Sequence, residues 1–143
     1  MRGDPRRRLL ATYPWQIEVP TRFGDMDPNR HLNNVSIARL YEECRVRFNH
    51  QLRAAHPELG RVRYLVGRVE IDYLAEGGFP APAIVGYGVH SLGKSSYRAA
   101  LGLFQEGQCI GLSDAIMVFR GETGPAPLPE GLRAVLGEWA LRP

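Results

Sequence analysis

The ten residues from Asp25 to Asn34 bring together two carboxylates, a histidine and an asparagine pair, a set that could perform acyl transfer. A carboxylate can attack a carbonyl carbon or activate water, and free amides at a helix N-terminus can hold the oxyanion that forms. Asp and Asn also bond nearby backbone amides in turns and caps, where carboxylates favour the positive helix end. The residue types alone leave open both an acyl-transfer site and a turn and capping cluster.

A long amphipathic helix is predicted to follow this segment, from about Asn34 to Ala55. Its apolar residues recur every three or four positions and so share one face, which comprises Ile37, Tyr41, Cys44, Phe48, Leu52 and Ala55. Asn33 or Asn34 suits the N-cap, and His56-Pro57 ends the helix. The polar segment therefore lies across the N-terminus of the longest element in the chain.

The other elements read as strands with period-two alternation. Residues 15–19 precede the helix, and residues 65–73, 83–89, 97–103 and 110–118 follow it, joined by short turns. This order predicts an α+β fold in which a five-stranded antiparallel sheet wraps around one long central helix. Because such a sheet keeps an exposed edge, we expect two copies to pair their edges across a two-fold axis.

Length, composition and charge indicate one globular domain without a nucleic-acid partner. The 143 residues are 44% hydrophobic, and the net charge of +3 equals the contribution of residues 1–13, where four arginines outnumber one aspartate. We expect residues 1–13 to be a disordered basic arm and residues 14–143 to form the single domain. The remaining charges balance, so no concentrated basic face is expected. No apolar run or secretory signal is present, which favours a cytoplasmic protein that does not bind membranes.

One segment matches an unrelated motif. Residues Gly88 to Ser95 fit the phosphate-loop pattern GxxxxGKS, but that loop must join a strand to a helix N-terminus. Strand alternation continues on both sides here, so a hairpin turn at Gly93-Lys94 is expected instead. The two cysteines and four histidines show no metal-ligand spacing, and neither a metal nor a cofactor is predicted.

Three motifs resemble the 4-hydroxybenzoyl-CoA thioesterase family of hotdog-fold acyl-CoA thioesterases. They are Arg22-Phe-Gly-Asp25-Met-Asp27, then His31-Leu-Asn33-Asn34, then Tyr41-Glu-Glu-Cys-Arg45 on the helix. The resemblance covers about residues 15–135 and includes Ser95-Ser96 at the start of a strand. It implies a hotdog fold and hydrolysis of an acyl-CoA, or an acyl-carrier-protein thioester, to the free acid and the thiol.

The resemblance also implies roles for residues of the polar segment. Asp27 matches the carboxylate that acts as nucleophile or general base, and Asn34 matches the position whose backbone N–H polarises the thioester carbonyl. His31 and Asn33 match motif residues that shape the loop and bind water or substrate. Asp25 is expected to hold the loop in place.

Family sites lie at a dimer interface, so the resemblance implies a homodimer or homotetramer. Lys94, Ser95 and Ser96 are then expected to bind the CoA arm from the other subunit. The chain departs from the family at Arg30, where the usual residue is a glycine that permits positive φ or close approach of the thioester. We expect one of three effects of Arg30: it changes the conformation of the loop, it narrows the slot for the acyl group, or its side chain contacts a carboxylate or phosphate.

Other interpretations remain open. Arg30 could block the reaction and leave a non-catalytic acyl-thioester-binding module, and the same fold supports hydratases or dehydratases that use a histidine–carboxylate pair. The phosphate-loop match leaves a nucleotide hydrolase as the last alternative. On the helix, Glu42 is expected to form a surface ion pair with Arg45.

Overall fold

The computed structural model describes residues 1–143, and its first strand is β1, Trp15–Val19. The polar segment follows β1 and leads into α1, which spans Asn34–Ala55. The Asn33 side-chain oxygen accepts a hydrogen bond from the Val35 amide at 2.7 Å and caps the helix. The predicted helix and its cap are confirmed.

Four strands follow the helix: β2 at Tyr64–Tyr73, β3 at Ala83–Leu92, β4 at Ser96–Gln105 and β5 at Gln108–Phe119. Together with β1 they form one antiparallel sheet in the order β1-β3-β4-β5-β2. A short helix, α2, spans Glu130–Gly137 near the end of the chain. The α+β class and the five-stranded antiparallel sheet are confirmed, and β1 and β2 are its two edges.

The apolar stripe of α1 packs against the inner face of the sheet. The buried helix residues are Ile37, Leu40, Tyr41, Cys44, Phe48 and Leu52. Phe48 stacks on Tyr87 of β3 with ring centroids 4.1 Å apart, and Trp15 and Trp139 meet Phe48 edge-on. This packing fixes α1, and hence its N-terminus, relative to the strands. Neither helix has the length and apolar character needed to cross a membrane.

The GxxxxGKS match lies in a β-hairpin. Gly88 is within β3, and the Gly93 amide donates to the Ser96 carbonyl at 2.7 Å to close the turn into β4. No helix begins after this turn, so the backbone amides that a phosphate loop directs at its ligand are not assembled. The expected hairpin at Gly93-Lys94 is confirmed.

The first thirteen residues differ from the expected disordered arm. Pro5–Arg8 forms a 3-10 turn capped by Asp4, and Arg7 is only 1% exposed. The Arg7 guanidinium lies 2.8 Å from Asp114 and 3.1 Å from the Tyr13 hydroxyl. A buried carboxylate on β5 needs a counter-ion, and this segment supplies it. The basic segment is thus packed on the outer face of the sheet.

Candidate active site

The segment between β1 and α1 folds into a tight loop held by its own backbone. The Asp27 amide donates to the His31 carbonyl at 2.8 Å, and the Arg30 amide donates to the Asp27 carbonyl at 2.9 Å. Met26 and Leu32 form an isolated antiparallel bridge across the base of the loop. The loop is therefore a defined structure rather than a free connection, and it holds Asp27 at its turn.

Asp25 stabilises the start of this loop. Its carboxylate is nearly buried and accepts hydrogen bonds from the Arg22 amide at 2.8 Å and from the Arg22 guanidinium at 2.9 Å. The Asp25 carbonyl accepts from the Asn33 amide at 2.8 Å. The hydrogen bonds from Arg22 lower the pKa of Asp25. With both oxygens occupied, Asp25 has a positioning function.

Asp27 is half-buried and uses only one of its carboxylate oxygens within the loop. Its Oδ1 accepts from the Asn29 amide at 2.9 Å and from the His31 amide at 3.3 Å. Its Oδ2 accepts no hydrogen bond from the protein. These amides fix the orientation of the carboxylate and leave one oxygen available to a substrate or water.

The N-terminus of α1 presents an unused backbone donor. The first amides of a helix have no partner within the helix. The Asn33 cap satisfies the Val35 amide, and the Ile37 amide donates to the Asn33 carbonyl at 2.9 Å. The Asn34 amide has no acceptor in the protein. It is a free donor at the positive end of the helix dipole.

Asp27 and Asn34 line one open cleft of about 300 Å³. On the side of Asp27 and Asn34 the cleft is also lined by His31, Leu32 and Ile37. The facing side is formed by the end of β2 and the segment after it, namely Tyr73, Ala75, Glu76 and Gly77. The residue with a free carboxylate oxygen and the residue with a free helical amide thus line a common space. This arrangement can activate a nucleophile and stabilise an oxyanion within one cleft.

The facing side contributes a carboxylate that the sequence motifs did not reveal. The His31 Nε2 lies 2.9 Å from the Glu76 carboxylate, and both side chains remain solvent-accessible. Tyr73, at the end of β2, lies beside this pair in the cleft. No local pattern identified Glu76 or Tyr73, because their contribution depends on the return of β2 toward the loop.

The segment carrying Glu76 is held against the sheet by Gln105 of β4. Gln105 exchanges two hydrogen bonds with the backbone of Gly78, both at 2.9 Å, and also donates to the Ala81 carbonyl at 2.8 Å. A Cβ at Gly77 would lie 2.6 Å from Ile110 Cδ1, so a larger residue here would force the neighbouring side chains to shift. The Leu32 amide donates to the Gly77 carbonyl at 2.9 Å and joins the two sides of the cleft.

Arg30 adopts the conformation that glycine would favour. Its φ is +63°, in the left-handed region. The side chain is exposed and makes no hydrogen bond or ion pair. The backbone at this position therefore takes a conformation that glycine adopts readily. Arg30 lines a separate cavity on the other side of Asp27, together with Phe23, Met26 and Pro28.

Lys94, Ser95 and Ser96 lie away from this cleft in the same protomer. The Ser95 carbonyl accepts from the Phe119 amide at 2.8 Å, and Phe119 pairs with Tyr64, where β2 begins. The cleft lies at the other end of β2. The structure therefore brings together Asp27, His31, Asn33 and Asn34 with Arg30 nearby, and separates the hairpin from them. No group of three or more His, Cys, Asp or Glu side chains is placed to hold a metal ion.

Comparison with known proteins gives a consistent assignment. The model of the thioesterase-like superfamily matches residues 21–136. A thioesterase from Thermus thermophilus, solved with coenzyme A and Zn, is 30% identical, with 92% of this chain and 98% of that chain covered and a TM-score of 0.81. No curated protein matches the chain.

Two other solved structures are similar over most of their length. The PA5185 protein of Pseudomonas aeruginosa PAO1 is 27% identical, with 94% and 96% of the two chains covered and a TM-score of 0.78. A thioesterase superfamily protein from Jannaschia sp. CCS1 is also 27% identical, with 86% and 82% covered and a TM-score of 0.74. With its five-stranded sheet, long helix and matched residues 21–136, this chain belongs to the thioesterase-like superfamily and has its hotdog fold.

Proposed function

We propose that the protein hydrolyses an acyl-CoA thioester to a free acid and CoA, with Asp27 as nucleophile or general base. The observation that carries this proposal is the pairing of a free Asp27 oxygen with the free Asn34 amide in one cleft. Within the superfamily, the Asp–His–Asn–Asn motif supports placement in the 4-hydroxybenzoyl-CoA thioesterase family. Membership of the thioesterase-like superfamily supports the reaction class in general.

Two routes use the same atoms. As a nucleophile, Asp27 Oδ2 bonds to the thioester carbon, the C–S bond breaks, CoA leaves as thiolate, and water then hydrolyses the acyl-aspartyl anhydride. As a general base, Oδ2 takes a proton from the water that attacks the carbon. Both routes place negative charge on the carbonyl oxygen, where the Asn34 N–H stabilises it. One such donor typically contributes about 10²–10³ in rate.

The other loop residues support these atoms. Asn33 caps α1 through the Val35 amide and thereby orients the adjacent Asn34 amide. His31, paired with Glu76, borders the cleft where it can bind water or the thioester. Arg30 carries an unpaired positive charge at a neighbouring cavity that Asp27 also lines, which suits a phosphate group of CoA.

We propose a homodimer formed through the β2 edges, with a homotetramer as a possible higher assembly. β2 is the longer edge strand, and three of its apolar residues are 42–49% exposed, namely Val66, Val69 and Tyr73. Such an edge favours pairing with another copy. Pairing across a two-fold axis reverses the second strand, which brings the hairpin of Lys94, Ser95 and Ser96 to the end of the assembly where the partner's cleft lies. These residues can then bind the CoA arm.

One observation favours a second candidate within the fold. Hydration or dehydration of an acyl thioester needs a histidine and a carboxylate acting on the acyl chain, and the His31–Glu76 pair has that composition. Arg30 holds a positive φ of the kind that the family glycine permits, so its backbone does not favour the binding-only alternative. We further propose a cytoplasmic location and no nucleic-acid or membrane partner.

The discriminating experiment is an assay of the wild-type protein on a panel of saturated and unsaturated acyl-CoAs. Release of free thiol together with the matching free acid is the expected result. Hydration of enoyl-CoAs without thiol release would instead identify the hydratase. Acyl-CoA binding with neither reaction would identify a binding module, and either result would overturn the proposed hydrolase.

A further inference from the structure

The cavity that Arg30 lines has a volume of about 460 Å³. We call it the loop cavity, because all of its lining residues belong to the segment between β1 and α1, namely Phe23, Met26, Asp27, Pro28 and Arg30. Asp27 is the only residue that lines both the cleft and the loop cavity. A thioester whose carbonyl carbon lies at Asp27 therefore has room for one of its two arms in the loop cavity.

The wall of the loop cavity is mostly apolar. Phe23 is 74% exposed, more than any other large hydrophobic side chain of the protein. Its ring packs edge-on on Phe79 with centroids 6.1 Å apart, and Met26 and Pro28 extend the apolar surface. Exposed apolar surface beside the proposed reaction centre favours contact with the hydrocarbon part of a ligand.

Arg30 supplies the one positive charge of the loop cavity, and its guanidinium has no partner in the protein. The expected ion pair between Glu42 and Arg45 is not formed either, but Arg45 lies in a different cavity that Asp27 does not line. The Arg30 φ of +63° is a conformation that glycine adopts more readily than a long side chain, and such positions cluster at functional sites. An unpaired cation beside an apolar wall suits a ligand with an anionic group on a hydrocarbon part.

Reach separates the two anions that an acyl-CoA offers to Arg30, a phosphate of CoA and a carboxylate on the acyl group. The Arg30 amide donates to the Asp27 carbonyl at 2.9 Å, so the two residues end one turn and their Cα atoms lie within about 7 Å. The nearest phosphorus of CoA is about thirteen bonds from the sulfur, or about 16 Å in an extended chain at about 1.2 Å per bond. A carboxylate that ends a five- or six-carbon acyl group is only about 5–6 Å from the thioester carbon. The shorter reach matches the neighbouring positions of Asp27 and Arg30.

We propose that the loop cavity receives the acyl group and that Arg30 selects acyl groups that end in a carboxylate a few carbons from the thioester. This inference rests on the proposed hydrolase and uses residues of one subunit only. The thioester carbonyl lies in the cleft at the Asn34 amide, and the acyl chain passes Asp27 into the loop cavity. Phe23 and Met26 contact its methylene groups. The guanidinium of Arg30 binds the terminal carboxylate and offsets its repulsion by Asp27.

The test compares acyl groups of equal chain length with and without a terminal carboxylate, each as the CoA thioester and as the pantetheine thioester, which has no phosphate. At the best chain length, wild type should show kcat/KM at least about tenfold higher for the carboxylated acyl group in both series, as expected for a hydrogen bond between charged groups. Arg30→Gly should lower this ratio to one or below, because the substrate carboxylate then lies near Asp27 without a cation. Glycine adopts the backbone conformation of this position readily, so the variant should fold. Arg53→Gln, which removes an exposed arginine outside the loop cavity, should leave the ratio unchanged.

A wild-type ratio of one or less at every chain length would overturn the inference and leave the hydrolase intact. A high ratio that survives Arg30→Gly would also overturn it, because another group would then bind the carboxylate. Suppose instead that Arg30→Gly lowers kcat/KM equally for carboxylated and uncharged CoA thioesters and leaves the pantetheine thioesters unaffected. Arg30 would then bind a phosphate of CoA, and the inference would be wrong. Failure to release thiol from any substrate would remove the proposed hydrolase together with the inference.

Discussion

Asp25 and Asp27 lie two residues apart in one loop, yet their carboxylates differ in how many oxygens are hydrogen-bonded. Arg22 occupies both oxygens of Asp25, whereas backbone amides occupy only Oδ1 of Asp27. A carboxylate that is fully hydrogen-bonded holds structure, and one with a free oxygen in a cleft can react. The loop thus separates Asp25, which fixes the loop geometry, from Asp27, which we propose takes part in the reaction.

The lowered pKa of Asp25 predicts a pH-dependent contribution to stability. A depressed carboxyl pKa contributes stability above the ordinary value of about 3.9, and this contribution is lost as the pH falls through the folded-state value. Urea unfolding should show Asp25→Asn less stable than wild type near about pH 6, with the difference shrinking below about pH 4. A difference that stays constant over that range would contradict the role of Asp25.

The N-terminal segment and β5 are joined by a buried ion pair across the outer face of the sheet. Arg7 contacts Asp114 and the carbonyls of Leu101 and Ser113, and Tyr13 packs where Gly86 and Gly102 leave room for its ring. Arg98 approaches the second oxygen of Asp114 at 3.2 Å. The segment therefore belongs to the folded unit, covers this face of the sheet and supplies the buried cation of the Asp114 carboxylate, whose other cation, Arg98, is partly exposed.

Removal of one partner from this buried pair should destabilise the fold. Arg7→Ala leaves the buried Asp114 carboxylate with only the part-exposed Arg98 as a cation. Loss of both cations from a buried carboxylate typically costs about 3–5 kcal/mol, so loss of the buried one should cost part of that and lower the urea midpoint. Arg6→Ala is the matched control, because Arg6 pairs with Asp4 in solvent and should change the midpoint little. Equal midpoints for the two variants would show that the Arg7 contacts do not stabilise the protein.

The molecule as a whole has one long unpaired edge, β2, and its cleft lies at the Tyr73 end of that edge. Val69 is 42% exposed although it pairs with the buried residue Ala115 and so shares the inner face of the sheet. The single protomer does not cover this part of its own inner face. A second copy paired through β2 would cover it.

Val69→Lys should therefore convert a dimer into a monomer. Light scattering should give wild type a mass of at least twice the 16.0 kDa chain. The variant should give the chain mass and should lose acyl-CoA hydrolysis, because a buried unpaired charge at the interface opposes pairing. Leu9→Lys, at an apolar residue exposed elsewhere, is the control and should remain associated. A monomeric wild type that is fully active would contradict the dimer proposal.

The sequence predicts those parts of the fold and site that depend on local pattern. The α1 stripe, the Asn33 cap and the hairpin at Gly93-Lys94 follow from periodicity and turn chemistry, which neighbouring residues determine. Asp27 and the Asn34 amide are likewise close in the chain, so a helix N-terminus is enough to bring them together.

Contacts between distant segments were not predictable in the same way. Arg7 and Asp114 are 107 positions apart, and nothing in the basic segment indicates a buried partner. Glu76 reaches His31 only because β2 returns to the loop, and the exposure of β2 is set by its place at the edge of the sheet. Periodicity identifies a strand with an apolar face but does not show whether its own protomer covers that face.

The most direct test is the rate of thiol release from the best acyl-CoA by wild type, Asp27→Asn and the control Glu18→Gln, which removes an exposed carboxylate on β1. Asp27→Asn keeps the size of the side chain and removes its charge and basicity. Its kcat/KM should fall by about 10²–10⁴ with an unchanged fold, while Glu18→Gln retains wild-type activity. Equal rates for all three proteins would show that Asp27 takes no part in the chemistry.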